Sequence, residues 1–292
     1  MLKQIHAFAD RHALALALVI VLGYFAYFFI PGALSSNSFG RGETHSDVAS
    51  MSAQLTGELL LAASILALIV VLGWTKSARL TTPLRHRSLW WLLPPLLFTS
   101  LILLVGLSVT GPEGQGPGPA VAGIVALLAT VALIGIFEEL LFRGLLFRGI
   151  EAKAGPLSAL VGSSIIFGLM HYVNWVGGQP FGDTTVQVIH AAAGGFMYGA
   201  IMLMTGSIWP GVFLHAFWDG TVSVVSTIRE AAAPELNTET STLSSVENLP
   251  TEPAGGGIAE LLFAGFEPVY GLIVMLAWLA LRHRRTAATR MP

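Results

Sequence analysis

The stretch AVAGIVALLATVALIGIFEELLFRGLLFRG, residues 120–149, decides how this chain is read. Residues 120–137 carry no charge, and then Glu138, Glu139 and Arg143 arrive together. About 20 apolar residues cross the hydrocarbon core of a bilayer as a helix. The segment therefore reads as a membrane helix that ends in ionisable groups. Such groups in a membrane helix cost ~2.5–3.5 kcal/mol each on insertion scales, so they tend to face a cavity or a partner.

The same apolar pattern recurs along the chain. Runs at 13–30, 55–74, 89–110, 159–175, 186–204, 208–228 and 258–281 join 120–137 to make eight candidate spans. Of the 292 residues, 54% are hydrophobic and 11% charged, against roughly 25% charged in soluble proteins. Mean hydropathy is +0.71. A water-soluble fold could not hide this much apolar surface, so lipid is the solvent for most of the chain. Backbone groups in lipid must pair within a helix or a closed barrel. The apolar runs are continuous, whereas barrel strands alternate. The expected fold is an all-α integral membrane bundle of about eight helices. Cysteine is absent, which removes disulfides, thiolate metal sites and cysteine nucleophiles.

Lys and Arg set the orientation. Of the 15 such residues, all but Arg41, Arg143 and Arg229 fall on one side of an eight-span chain. They precede span 1, lie between spans 2 and 3 and between spans 4 and 5, or follow span 8. This predicts cytosolic termini and a multi-pass protein of the cell membrane. A seven- or nine-span chain would break the agreement. Lys3 and Arg11 before span 1, with Ala33-Leu34-Ser35 after it, resemble a signal peptide. The apolar run is longer than a usual signal core, which favours an uncleaved anchor. Residues 1–118 are read as three helices with their loops, 119–228 as a core of four helices, 229–257 as a flexible outer loop rich in Glu, Thr, Ser, Pro and Gly, and 258–292 as the last helix with a basic tail. Residues 111–119 read as a Gly/Pro turn. The basic clusters suit topology better than nucleic-acid binding.

Three polar clusters interrupt the apolar runs. In the first, Glu139 and Arg143 are i, i+4 with the acid first, the favourable order for an ion pair. Glu138 points ~100° away and is free to face a cavity. The plain alternative is a charge cluster snorkelling at the interface. The second is Phe167-xxx-His171, where a lone His could equally serve as an interhelical hydrogen bond. The third is His215-xxx-Asp219, one helical face, which could simply tie span 7 to a neighbour. Gly155-Pro156 is a strong turn signal, and Glu138 and His171 are equidistant from a point near Ala154-Gly155. A hairpin there brings both to one height, roughly 25 Å from its tip at 1.5 Å per residue. His215 and Asp219 lie roughly 10–16 Å into span 7, so all three clusters can meet in the cytosolic half. Residues 176–182 then either dip into the membrane or cap the cavity.

The motifs Glu138-Glu139-xxx-Arg143, Phe167-xxx-His171 and His215-xxx-Asp219 resemble those of the CAAX-protease and bacteriocin-processing (CPBP) family of intramembrane endopeptidases. That family carries EExxxR, FxxxH and HxxxN or HxxxD on successive membrane helices. The resemblance covers roughly 120–228. It implies a glutamate-type intramembrane peptidase acting on a protein or peptide substrate, membrane-anchored or free. It implies Glu138 as general base, His171 as a holder of the attacking water, and His215 with Asp219 as stabilisers of the oxyanion. Glu139 and Arg143 would organise the site. Amide hydrolysis needs a base, a placed water and donors aimed at the developing charge, and these residue types supply them. Asp219 could instead orient His215, as a carboxylate orients a catalytic imidazole.

No cofactor is expected in this reading. A variant uses Glu138, His171 and His215 as zinc ligands, a legitimate catalytic set, although no HExxH helix is present. Two other classes compete. Buried Glu and His also mark proton-coupled transporters, but no two-fold hydropathy repeat or pair of broken helices appears. A non-catalytic membrane scaffold or immunity protein is the third reading. Outside the clusters, His190 reads as structural, Glu58 as snorkelling, and Trp90 and Trp91 as interfacial anchors. Pro94-Pro95 should kink span 3. Gly194, Gly195 and Gly199 suggest close helix packing rather than an active-site role.

Overall fold

A computed structural model describes residues 2–34, 48–109, 121–232 and 258–288. The expected turn at 111–119 and most of the expected outer loop at 229–257 lie outside them. So do Arg41, Arg290 and Ser35. Among the described residues the fold is wholly helical. In chain order the helices are α1 (Leu2–Arg11), α2 (Ala13–Leu34), α3 (Val48–Val71), α4 (Leu93–Val109), α5 (Val121–Glu139), α6 (Phe147–Met170), α7 (Tyr172–Val176), α8 (Phe181–Thr205), α9 (Trp209–Ala232) and α10 (Ile258–Ala288). A 3-10 turn at His86–Leu92 leads into α4, and a π-helical turn at Leu140–Leu146 joins α5 to α6.

Six stretches among the described residues are long and apolar enough to cross a membrane: 13–30, 52–71, 86–108, 122–176, 181–205 and 264–284. The fourth runs for 55 residues, which would be about 83 Å if straight. It is not straight. Gly155 has φ +82° inside α6, a left-handed conformation natural to glycine, and the chain reverses there. Ile150 packs beside Gly162 across the turn, and Phe142 packs edge-on against Phe167 at 5.1 Å. The expected fourth and fifth spans are thus two arms of one hairpin. Helix α9 is not among the six, because His215, Asp219 and neighbouring polar residues dilute its apolar character.

The outer surface is apolar. Val19, Leu22, Leu60, Leu101 and Leu104 are each more than half exposed, as expected where lipid is the solvent. The centre is the π turn, whose seven residues are all buried. Helix α8 packs on α6, α9 and α10, and α5 packs on α3 and α9. Several loops assemble at one end of the bundle. Arg148 pairs with Asp10 at 2.6 Å, and Arg79 with Glu151 at 2.7 Å. Thr82 donates to the Gly206 carbonyl at 2.6 Å, and Trp209 Nε1 to the Leu80 carbonyl at 2.9 Å. The segments before α2, between α3 and α4, at the hairpin tip and between α8 and α9 therefore share one end. One difference from the sequence reading lies in residues 2–11, which form a helix of their own. It is amphipathic, and Asp10 uses its polar face to reach Trp74 Nε1 at 3.2 Å as well as Arg148.

Candidate active site

The site forms where α5 runs into the π turn. A π turn holds one extra residue within the helix and recurs at functional positions. Here it follows directly on Glu139. Arg143, inside the turn, is fully buried, and Glu139 is nearly so. Arg143 Nη1 stands 2.9 Å from Glu139 Oε1, off the line of an aligned hydrogen bond. The guanidinium also lies over the Phe167 ring, 4.3 Å from its centroid, a geometry in which the ring face attracts the cation. Gly195 on α8 leaves the space: a Cβ there would overlap Arg143 Nη2 and come within 2.8 Å of Phe167.

His215 of α9 is held on both edges of its ring. Nδ1 donates to Glu139 Oε1 at 3.2 Å. Nε2 faces Glu138 Oε2 at 3.3 Å and Asp219 Oδ2 at 3.4 Å. One face of the ring stacks on Tyr198, with centroids 5.2 Å apart. The close approach of α5 and α9 follows from Gly135, where a Cβ would meet the Ala216 backbone at 3.3 Å. Gly211 likewise makes room for Glu139 Oε2. Glu138 and Glu139 thus address opposite nitrogens of one imidazole, as adjacent residues on a helix can when the ring sits between their directions.

His171 caps the end of α6. The His171 backbone N–H bonds the Gly168 carbonyl at 3.0 Å, and the Phe167 carbonyl accepts from His171 Nδ1 at 3.1 Å. Helix C-termini leave such carbonyls without backbone partners. That bond puts the ring proton on Nδ1 and leaves the Nε2 lone pair for another ligand. The His171 ring meets the Phe167 ring edge-on at 5.1 Å, and the His215 ring meets the same phenyl at 5.7 Å. The two imidazoles therefore flank one aromatic side chain.

Five of the six residues singled out in the sequence are in direct contact, Glu138, Glu139 and Arg143 from α5 and the π turn with His215 and Asp219 from α9, and His171 after α6 stands next to them across the Phe167 ring. Glu138 exposes 12% of its side chain and Asp219 28%, so these two carboxylates keep some exposure while Glu139 is sealed. Glu139, rather than Asp219, takes the orienting nitrogen of His215. Residues 172–176 form the short helix α7, and Asn174 and Tyr172 reach α8 through Gln187 at 2.9 Å and Thr185 at 3.5 Å. Among the described residues, no three His, Asp or Glu side chains are arranged to hold a metal ion.

Residues 120–221 match the family model of type II CAAX prenyl endopeptidases, described as Rce1-like. Over this stretch the chain is similar to the CAAX proteases. The match takes in every residue of the cluster, from Glu138 to Asp219. No curated protein matches the chain, and no solved structure does. The family is one of membrane hydrolases that cut proteins, and the chain's long apolar helices suit it.

Two residues around this cluster escape a reading by motif. Tyr198 stacks on His215, yet in sequence it is one aromatic among glycines on α8. Glu267 on α10 is buried and lies 3.1 Å from where a Cβ on Gly194 would stand. Its signal was present, since it is an ionisable residue inside an apolar run, next to Pro268. Only its position along the chain, far from the three motifs, hid it. Gly194 and Gly195, read as helix packing alone, also make room for a carboxylate and a guanidinium of this region.

Proposed function

We propose that the chain is an intramembrane endopeptidase in which Glu138 activates a water for attack on a peptide bond, without a metal. The observation that carries this is the Glu138 carboxylate set 3.3 Å from His215 Nε2 in a largely buried cluster. Water entering beside Glu138 donates one proton to it and finds in His171 Nε2 a second acceptor that fixes its direction. Attack on the carbonyl carbon places negative charge on the carbonyl oxygen. His215, with Nδ1 anchored on Glu139, presents Nε2 toward that charge when it carries a proton there. Preorganised donors of this kind are worth about 3–4 kcal/mol each. Glu138 then returns the proton to the leaving amine, which closes the cycle.

Asp219 is assigned a lesser part, because Glu139 already orients the imidazole. The reading also includes eight crossings, cytosolic termini and a cavity open to the cytosolic side, which together admit a membrane-anchored protein or peptide. The test compares membrane peptidomes from cells with the wild type and with Glu138→Gln. General-base removal is expected to lower cleavage by about 10²–10⁴-fold while leaving the protein inserted and folded. Peptides present only with the wild type give the cleavage sites. Peptidomes that do not differ between the two would shift the reading to a scaffold. Activity lost to a chelator and restored by zinc would replace the metal-free step.

A further inference from the structure

His215 is the donor on which the proposed attack relies, and its grip is uneven. Its edges are held by acceptors: Glu139 at 3.2 Å on Nδ1, with Glu138 at 3.3 Å and Asp219 at 3.4 Å on Nε2. Ordinary N–H···O bonds run at about 2.7–3.2 Å, so the Nε2 side is held at long range. The torsion that turns an imidazole about its Cβ–Cγ bond is broad. Turning there carries both nitrogens out of the ring plane, through one face or the other. Acceptors at the edges resist that movement weakly. A flat group lying on the face blocks it.

Tyr198 is that group. Its ring lies 5.2 Å from the His215 ring, centroid to centroid, and within 24° of parallel. Gly211, one turn before His215 on α9, backs onto the same residue: a Cβ there would meet Tyr198 Cβ at 3.6 Å and the Tyr198 carbonyl oxygen at 3.7 Å. The approach of α9 to the α8 backbone thus sets the two rings against each other. Tyr198 is 3% exposed. The crevice beside it, among Phe98, Trp218 and Phe266, has room for about one water, so the ring has almost no space to retreat into. Among the described residues the Tyr198 hydroxyl makes no hydrogen bond. The contact with His215 is therefore made by the plane of the ring and not by the phenol oxygen.

We propose that Tyr198 is a positioning residue of the peptidase, a flat wall that stops the His215 imidazole from turning about its Cβ–Cγ bond and so keeps Nε2 aimed at the reacting carbonyl. The inference rests on the peptidase reading above. Tyr198 acts through His215 and takes no part in the bond-breaking step itself.

The experiment uses a peptide spanning a cleavage site that vanishes in Glu138→Gln cells, anchored in liposomes with the full-length protein. Tyr198→Met and Tyr198→Leu fill the space with side chains that have no plane. Each should lower kcat by about 10–100-fold, the order of cost of a misplaced catalytic group. KM should stay within about twofold, since Tyr198 acts on His215 and not on the substrate. Tyr198→Phe, which keeps the plane, should bring kcat back to within about threefold of wild type. Rates are compared on monodisperse protein, with melting temperatures measured alongside. A raised KM at unchanged kcat, or a kcat within about threefold of wild type in the Met and Leu variants, would overturn the role of Tyr198 while leaving the peptidase standing. So would a fall of about tenfold or more in Tyr198→Phe, a change slight enough to keep the fold whatever becomes of the other two. If Glu138→Gln removes no cleavage site, the peptidase reading fails first, and the role of Tyr198 falls with it.

Discussion

A single imidazole organises the chemistry at the residue scale. His215 is gripped by Glu139 on one nitrogen and offered to Glu138 and Asp219 on the other. Glu139 in turn is balanced by Arg143, and both are sealed from solvent. Removing one member of a buried ion pair leaves the other uncompensated, a loss of about 3–5 kcal/mol. Arg143→Ala should therefore lower the melting temperature of the purified protein sharply, not only its activity. Asp219 is the contrasting case. It is more exposed than its neighbours, and its nearest imidazole atom is shared with Glu138. Asp219→Asn keeps the shape and adds an amide donor near the proposed oxyanion. Turnover of a cleaved peptide should stay within about tenfold of wild type, and a fall toward the level of a lost oxyanion donor, about 10²–10³, would make the negative charge essential.

Glycines at the scale of the helical elements decide how closely the walls of the site approach. Gly168, next to Phe167 and about one turn before His171, faces α8: a Cβ there would stand 2.5 Å from the Val188 carbonyl oxygen and 2.8 Å from the Ala192 Cβ. Backbone cannot swing aside, so α6 and α8 would have to part. At Gly199 the added carbon would meet only the Leu160 Cδ1, at 2.6 Å, the far end of a flexible side chain. Gly168→Ala should destabilise by about 1–3 kcal/mol, in the range of core overpacking, and Gly199→Ala by less. Thermal melts of the two variants in one detergent give the comparison, and equal losses would contradict the contact geometry. The π turn belongs to this scale too. Its extra residue rotates everything after Glu139 relative to an α-helical continuation, and that rotation sets the guanidinium of Arg143 over Phe167 while Glu139 faces His215.

For the whole molecule, the question is which way the bundle sits. The ends that carry Asp10, Arg79, Arg148 and Glu151 are joined by ion pairs at one pole, the pole that the Lys/Arg distribution assigns to the cytosol. The absence of cysteine gives a clean assay. A lone cysteine at Lys153, in the hairpin arm, should react with an impermeant thiol reagent only after the cells are permeabilised. A lone cysteine at Ser241 should react in intact cells. The reverse pattern would invert the orientation, and reaction of both in intact cells would mean an even number of crossings between them.

The membrane character, the hairpin at Gly155 and the membership of Glu138, Glu139, Arg143, His171, His215 and Asp219 in one cluster were all legible in the sequence. Each depends on local quantities: apolar run length, a turn dipeptide, and the cost of placing charge in lipid. Those costs act wherever the residue falls along the chain, so they show before any fold is known. The tertiary structure alone decided which carboxylate takes which nitrogen of His215, that residues 140–146 wind as a π turn, and that Tyr198 and Glu267 border the site. These depend on rotations of about 100° per residue and on helices that meet only after packing. Glu267 is distant in sequence from every motif, and only the approach of α10 to Gly194 brings it near them.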